Sequence, residues 1–584
     1  MKIAHPIGLD RFFGFLLISG CLGANAAVYY VDAVAGSDGN GGADPGRPWK
    51  NCPGMSAYSG SGTLSAGDSV YFARSQVWQL SGAQGIYLTG GVTYIGNSWG
   101  TGSLAVIRAA SDCDAGVVRF RDHPIQETVF QGFEVDANKT VSTGIDINHR
   151  YGSLMKGATK RVKDCVVHNI WSSTVLGQYK YGVIISNHGG TNAYCDNVEI
   201  LDTVVHDTSR DAIGLYPGDE NAGCRIKNIT VQGCEAFNTG QDPGYGAGAG
   251  IGVKGYVQDA WIDHCYVHDT KGAAMFINGN ESNHFPGIGP TNINICYNIF
   301  TCSNVNGAIR IYDGSSGKDP KDVKIYGNIV YHSTAGGGFY VDADLGNTNR
   351  ICLYNNTFYN ASVYINGLNA VFSVLEFKNN IFYYSGGIPL SDTRGQITSH
   401  ANNIFYGTGT LVKSGANSYT ASSLKSGYEG SASSSNPLFK NSGNLPTGLS
   451  GTLGVDLRPN YDGLSLQPGS YGVSNGTALV SPYNGSINSN PRPLGSGWDI
   501  GAYQSLAQTN AAGPLLLAQA KWLSAGVFVF QFNGQTGQSY TVQSSVDLVH
   551  WVLLTNFVGT SGPMTVIDAP ASQGGAKFYR VLSP

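Results

Sequence analysis

The segment YNNTFYN at residues 354–360 recurs as KNNIFYY at 378–384 and as ANNIFYG at 401–407. Each copy has polar residues in front of a short apolar and aromatic run, a pattern typical of a turn followed by a strand. The third residues of the copies are separated by 24 and 23 positions: Asn356, Asn380 and Asn403. A unit this short cannot bury its apolar face alone, so the copies must stack on one another.

Looser copies of this segment extend towards the N-terminus. They are KDCVVHN at 163, LDTVVHD at 201, QGCEAFN at 232, DHCYVHD at 263, CYNIFTC at 296 and YGNIVYH at 326. Their third residues are Cys165, Thr203, Cys234, Cys265, Asn298 and Asn328. Stacked coils place equivalent side chains ~4.8 Å apart, so we expect the Asn residues to form an internal ladder. The Cys residues are expected to stack as small buried groups. A repeat of short strands without a helical pattern predicts a β-solenoid.

A second series follows the first within each unit: GIDIN at 144, VIISN at 183, AIGLY at 212, GIGVK at 250, AMFIN at 274, AIRIY at 308, GFYVD at 338 and SVYIN at 362. Alternation predicts that the apolar positions face inward and the intervening positions outward. One outward row then contains Asn148, Ser186 or Asn187, Tyr216, Lys254, Asn278, Tyr312, Asp342 and Asn366. The neighbouring row contains Asp146, Gly214, Gly252, Phe276, Arg310, Tyr340 and Tyr364.

The repeats, the opening VYYVDAVAGSDGNGGADPGRPWK at 28–50 and the closing WDIGAYQ at 498–504 resemble the secreted right-handed parallel β-helix superfamily of polysaccharide lyases and glycoside hydrolases. The resemblance covers about residues 28–506, and it is more specific for fold than for reaction. It implies an all-β right-handed parallel β-helix. The predicted domains are a signal peptide (1–26), the β-helix (27–506), a linker (507–514) and a C-terminal β-sandwich-like module (515–584), which has either a binding role or a passive one.

Composition and the N-terminus predict an exported protein. Charged residues are only 13% of the chain, yet 42% hydrophobic residues require a buried core. Lys2 and Arg11 precede a short apolar run, which is typical of an export signal and too short to span a membrane. The product is expected to be secreted, periplasmic or on the cell surface, and Cys21 offers an alternative lipoprotein signal. With a net charge of −4, the chain lacks the excess of basic residues that is typical of nucleic-acid-binding proteins.

The resemblance implies that a polysaccharide lies along the second series. Lys254 in GAGIGVKGY is surrounded by Gly, so we expect an open point that a sugar can approach. β-Elimination on a uronic acid needs a base, a cation that neutralises the carboxylate, and a proton donor for the leaving oxygen. The candidates are Lys254 as base, Arg310 as neutraliser, and Tyr216 or Tyr312 as donor. Equally, both cations could be ordinary solvated charges on a sheet.

Two alternatives to a lyase remain at this point. A glycoside hydrolase would need a pair of carboxylates, for which Asp342 with Asp313 or Asp344 is the best candidate. A noncatalytic adhesion or surface solenoid would need neither the base, cation and proton donor of a lyase nor the carboxylate pair of a hydrolase. The further candidates for substrate binding are Asn278, Asp313, Asp344, His149, His188, Glu281 and His284.

Partners and cofactors follow from the same features. A polysaccharide is the expected partner, and the working expectation is a monomer without a membrane span. Calcium is the one cofactor considered, because Asp and Glu oxygens are its usual ligands, although no spaced ligand loop identifies a site. His168, His206 and His268 repeat at one position of the unit, which favours packing over catalysis.

Overall fold

The computed structural model divides the chain into two compact units, Met1–Gln504 and Ser505–Pro584. It describes residues 26–81, 84–110, 113, 116–120, 126–140, 143–149, 158–171, 180–187, 194–217, 225–242, 248–279, 289–301, 307–313, 320–343, 349–366, 372–505, 517–524, 527–532, 539–546, 550–559, 563–568 and 577–582. The predicted signal peptide, apart from Ala26, and the whole of the predicted linker lie outside these residues. Among them, no helix is long and apolar enough to cross a membrane.

The first unit is a stack of coils whose strands form three walls. Wall 1 is a parallel sheet that comprises, among the described residues, thirteen strands: Val28–Val31, Ser69–Ala73, Thr93–Trp99, Thr128–Gln131, Lys160–Lys163, Tyr194–Leu201, Arg225–Gln232, Val257–Asp263, Thr291–Cys296, Lys321–Tyr326, Asn349–Tyr354, Phe372–Lys378 and Ser399–Ala401. Each strand pairs with the equivalent strand of the next coil, so one repeat of the sequence corresponds to one coil of the structure.

Wall 2 contains the strands that follow the repeat's turn. They are Val77–Leu80, Ala105–Ala109, Phe133–Asp136, Val166–His168, Val204–His206, Glu235–Phe237, Tyr266–Val267, Ile299–Thr301, Ile381–Tyr383, Ile404–Tyr406 and the first parts of Ile329–Ala343 and Thr357–Asn366. The last two strands continue around the corner into the next wall without a break.

Wall 3 contains the second series predicted from the sequence. Its strands are Gln84–Leu88, Gly116–Phe120, Thr143–His149, Val183–Asn187, Ile213–Leu215, Ile251–Lys254, Met275–Asn278, Ile309–Asp313, Leu390–Asp392, Thr410–Ser414 and the second parts of Ile329–Ala343 and Thr357–Asn366. Asn417–Thr420 pairs antiparallel with Thr410–Ser414 and is followed by a short helix, Leu424–Gly427.

An asparagine ladder runs inside the turn between walls 1 and 2. Each ladder amide donates to the carboxamide oxygen of the next coil, at 3.0 Å in each of the four steps from Asn298 to Asn403. The residue before each step has a positive φ, as at Asn379 (φ 57°), a conformation that Asn tolerates well. The ladder ends at Glu429, whose carboxylate accepts both the main-chain and the side-chain N–H groups of Asn403.

Residues 428–504, which follow the short helix and form the closing segment of the first unit, cover part of wall 2. Phe439, Leu464, Ile487 and Tyr503 pack against outward apolar residues of the later coils. These wall 2 residues are Tyr266, Ile299, Ile329, Tyr331, Ile381 and Ile404. Arg458–Pro459 and Leu449–Ser450 form a two-stranded pair within this segment. No wall 3 residue whose side chain is described belongs to this cluster.

The second unit consists of two small antiparallel sheets with a common core. One sheet contains Leu517–Ser524, Val527–Phe532 and Met564–Asp568; the other contains Ser539–Ser545, Val552–Val558 and Phe578–Leu582. Phe530 and Val566 of the first sheet pack with Tyr540 and Val542 of the second. The predicted fold class is therefore confirmed: a right-handed parallel β-helix with a small β-sandwich-like module.

Candidate functional site

The outward rows of wall 3 have the register that the sequence predicted. Lys254 lies opposite Asn278, Asn278 opposite Tyr312, and Tyr312 opposite Asp342. In the neighbouring row the order is Asp146, Ile184, Gly214, Gly252, Phe276, Arg310, Tyr340 and Tyr364. Residues about thirty positions apart in the chain thus share one outer surface.

Lys254 is buried and paired with a carboxylate. Its Nζ lies 2.7 Å from Oδ2 of Asp211, and both side chains are only 3% exposed. The other oxygen of Asp211 accepts the main-chain N–H of Ala249 at 2.8 Å. The ammonium also lies 5.6 Å from the ring centre of Phe276. The aromatic ring and the carboxylate together stabilise a positive charge at this position.

The prediction that Lys254 marks an open point of the cleft is wrong. Glycines do clear the space around it, but side chains of this chain fill that space. A Cβ at Gly252 would lie 2.7 Å from Oδ2 of Asp211 and 3.2 Å from Cε of Lys254. Position 252 therefore requires glycine because the ion pair lies directly over it. In this conformation a sugar has no direct access to the ammonium of Lys254.

Arg310 is surrounded by aromatic rings. Its guanidinium carbon lies 5.2 Å from the ring centre of Tyr312, 5.8 Å from that of Tyr340 and 6.0 Å from that of Phe276. Tyr340 stacks in turn on Tyr364, with ring centres 5.1 Å apart. Arg310 and Tyr312 are both partly exposed. An arginine with rings beside it can bind a carboxylate while the rings contact the apolar face of a sugar.

Phe276 connects the two cations. It lies opposite Gly252 in one coil and opposite Arg310 in the next. Tyr216 is the partly exposed neighbour of Lys254 on the preceding coil. Asn278, on the following coil, is 5% exposed, so it contributes more to the wall than to its surface.

The residues predicted as the carboxylate pair of a hydrolase do not lie opposite each other in the strand register. Asp342 lies opposite Tyr312, whereas Asp313 lies opposite Ala343. The side chains of Asp313, Asp342 and His149 lie outside the described part of the structure. So do the whole residues Asp344, His188, Glu281 and His284, which therefore remain predictions.

The sequence analysis missed a second buried ion pair on wall 3. Arg119 contacts Oδ2 of Asp146 through Nη2 at 3.1 Å, and the side chains are 7% and 9% exposed. Arg119 also donates to the hydroxyl of Tyr87 at 3.0 Å. The run GVVRF at 116–120 has the same alternation as the second series and could have revealed Arg119.

Among the described residues, those best placed for a metal ion lie on wall 2. Atoms of Glu134, Asp136 and His168 all lie within 4.8 Å of one another. However, Oδ2 of Asp136 already accepts a hydrogen bond from Arg108 at 2.8 Å. Burial raises the pKa of Asp136, but hydrogen bonds, led by that from Asn169, outweigh it and hold the pKa below its usual value. A cation here would have to displace the arginine, so the group fits a metal poorly.

The repeated histidines pack in a column on wall 2, as predicted. Their ring centres are 4.7 to 5.1 Å apart in the order His168, His206, Phe237 and His268. Burial lowers the pKa of His268, but the hydrogen bonds that its ring makes to the carboxylates of Glu235 and Asp269 raise it by more. This column forms part of the wall's packing.

Comparisons with known proteins concern the fold. No family model matches the chain, and no curated protein matches its sequence. Pectate lyase Pel9A has a similar structure at 14% identity and a TM-score of 0.42, covering 82% of this chain and 97% of its own. An alginate lyase from Paenibacillus sp. str. FPU-7 covers 52% of this chain and 92% of its own, at 14% identity and a TM-score of 0.24. PfbA, a surface adhesin of Streptococcus pneumoniae, covers 60% of this chain and 85% of its own, at 14% identity and a TM-score of 0.25. At such identities, the function of this chain has to be argued from its own residues.

Proposed function

We propose that this chain is an exported enzyme that degrades a uronic-acid-containing polysaccharide by β-elimination on wall 3. The observation that carries the proposal is Arg310, which has rings of Phe276, Tyr312 and Tyr340 within 6.0 Å of its guanidinium. A guanidinium stays charged at any physiological pH and binds a carboxylate through two N–H groups. Sugar rings present apolar C–H faces that pack well on aromatic side chains. Together these groups suit an acidic sugar better than a neutral one.

The proposed reaction divides its steps among three side chains. Arg310 neutralises the uronate carboxylate, which acidifies the C–H on the adjacent carbon. Lys254 takes that proton, the electron pair of the C–H bond forms the new double bond, and the bond to the leaving oxygen breaks. Tyr312 or Tyr216 donates its hydroxyl proton to the leaving oxygen. Water then relays the proton from Lys254 to the tyrosinate, which restores both groups for the next turnover.

Asp211 gives Lys254 a route to the neutral form that a base requires. A buried ion pair can exchange its two charges for two neutral groups if the proton crosses the 2.7 Å between Nζ and Oδ2. In this proposal, Asp211 is a positioning residue that stores the proton. The substrate must move the groups over Lys254 to reach it.

The experiment is digestion of a panel of acidic and neutral glycans by the full chain. A lyase generates an unsaturated end that absorbs ultraviolet light, a hydrolase generates only new reducing ends, and an adhesin generates neither. We expect ultraviolet-absorbing products from at least one uronate polymer. New reducing ends without ultraviolet absorption would instead support the hydrolase alternative with Asp342.

Variants of the two cations test the roles. Arg310→Ala should lower kcat/KM by about 10²-fold or more, as for the loss of one preorganised charge-stabilising group. Lys413 is a matched control, because it lies further along the same row and is exposed. Lys413→Ala should retain full activity. Turnover by a folded Lys254→Met protein at the rate of the unmodified chain would remove Lys254 from the mechanism.

A further inference from the structure

Wall 1 has a surface cavity that the proposed cleft does not use. The cavity has a volume of about 250 Å³ and lies on the outer face of three successive coils. This volume is just below the ~300 Å³ at which sites for drug-sized ligands begin, so it suits a single sugar ring. Its walls are aromatic and polar, which separates it from an ordinary packing defect.

Trp261 provides the aromatic side of the cavity. Glu199, Thr230 and Trp261 lie opposite one another in consecutive coils and point outward. Trp261 is partly exposed, packs against the apolar cluster that contains Cys296 and Tyr326, and lines the cavity. Its ring is therefore held in place by the next coil, while part of it faces solvent. A ring that is already ordered loses little entropy on binding.

Two kinked positions provide the polar side. Asn228 and Asp259 occupy equivalent places in neighbouring coils, with φ angles of 56° and 55°. This left-handed conformation interrupts the alternation of the strand. Asn228 is exposed, and the side chain of Asp259 is 40% exposed, so both can meet a ligand. Asn292 donates to Oδ1 of Asp259 at 2.7 Å and orients its carboxylate.

The charges around the cavity favour a neutral ligand. Arg161 is shared between Glu127 and Glu199, at 2.7 and 2.8 Å, so this trio has a net charge of −1. Lys227 contacts Asp259 only at 3.9 Å. Three carboxylates (Glu127, Glu199 and Asp259) thus outnumber two cations (Arg161 and Lys227) here, which disfavours a uronate, whereas sugar hydroxyls can donate to the carboxylates.

We propose that the cavity bounded by Trp261, Thr230, Glu199, Asn228 and Asp259 is a binding site for a neutral sugar unit. The indole packs on the C–H face of the ring, and the carboxylates and the amide bind its hydroxyls. The site is separate from the proposed cleft and does not depend on the reaction proposed there. It would hold the protein on a neutral glycan while wall 3 binds an acidic one.

The test is electrophoresis of the full chain in native gels that contain a soluble neutral polysaccharide: β-glucan, xylan or galactomannan. Gels with a uronate polymer run in parallel. At least one neutral polysaccharide should retard the protein. Trp261→Ala, which removes the platform, and Thr230→Phe, which fills the cavity, should each weaken that retardation about tenfold. Two independent variants keep the test valid if one of them folds poorly, which circular dichroism would show.

Ser399→Phe is the matched control, because Ser399 lies in the same outward row several coils away from the cavity. It should bind the neutral polysaccharide as the unmodified chain does. The proposal is overturned if no neutral polysaccharide retards the unmodified chain. It is also overturned if folded Trp261→Ala and Thr230→Phe proteins bind normally, or if they lose binding to the uronate polymer instead.

Discussion

Removing one partner of the Lys254–Asp211 ion pair should destabilise the protein far more than removing both. The side chains are 3% exposed, and the charged atoms lie 2.7 Å apart, so each charge is neutralised almost entirely by the other. Lys254→Met leaves a buried carboxylate without its cation, which costs about 3–5 kcal/mol. Asp211→Asn leaves the ammonium and retains the bond to the N–H of Ala249, at a similar cost. The double variant leaves no uncompensated charge and should lie within about 2 kcal/mol of the unmodified protein.

The measurement is urea unfolding of the four proteins, followed by circular dichroism. The exposed pair Lys440 and Asp462 provides the control, since its atoms are 2.6 Å apart but its side chains are 59% and 57% exposed. Lys440→Met should change the unfolding free energy by less than about 1 kcal/mol. If Lys254→Met costs no more than Lys440→Met, or if the two single effects simply add in the double variant, the ion pair does not have the energetic role assigned to it.

Further predictions concern the ladder, the histidine column and wall 3. Asn380→Ala removes the acceptor of the buried Asn356 N–H and should cost about 3 kcal/mol in urea unfolding, whereas Asn441→Ala on the exposed closing segment should cost little. The raised pKa of His268 adds stability below its unfolded value of ~6.5, and this gain disappears as pH rises through the folded pKa. Glu235→Gln should therefore reduce the stability difference between about pH 5 and pH 8; an unchanged difference would contradict this. Gly214→Ala should lower the melting temperature, because its Cβ would lie 2.7 Å from the ring of Tyr181.

The repeat could be predicted from the sequence because the same short motif recurs once in each coil, every 23 to 38 residues. The period places Asn298, Asn328 and Asn356 in one column, and the alternation assigns inward and outward positions. Both are local properties of the chain. The register of Lys254, Asn278 and Tyr312 followed from the same alternation. These features need no knowledge of loops or of distant contacts.

The burial of Lys254 could not be predicted in this way. Its partner Asp211 belongs to the previous coil and precedes a strand, in a segment with no repeated pattern. Glycines around a charged residue are equally compatible with an approaching ligand and with a second side chain, and only the geometry distinguishes them. The closing segment that covers wall 2 was likewise unpredictable, because its contacts link residues such as Tyr331 and Pro446, which are 115 positions apart.

The asparagine ladder has a direction, and Glu429 explains how it can stop. The side-chain NH₂ of each ladder Asn donates a hydrogen bond to the carboxamide oxygen of the next coil. The last Asn therefore needs a partner that only accepts hydrogen bonds. A carboxylate meets that need, whereas Glu429→Gln would bring an NH₂ group against the amide of Asn403. New asparagine coils could therefore be spliced in before Glu429 to lengthen the molecule, with this residue kept as the terminator. An array that omitted it would expose an unsatisfied amide at its growing end.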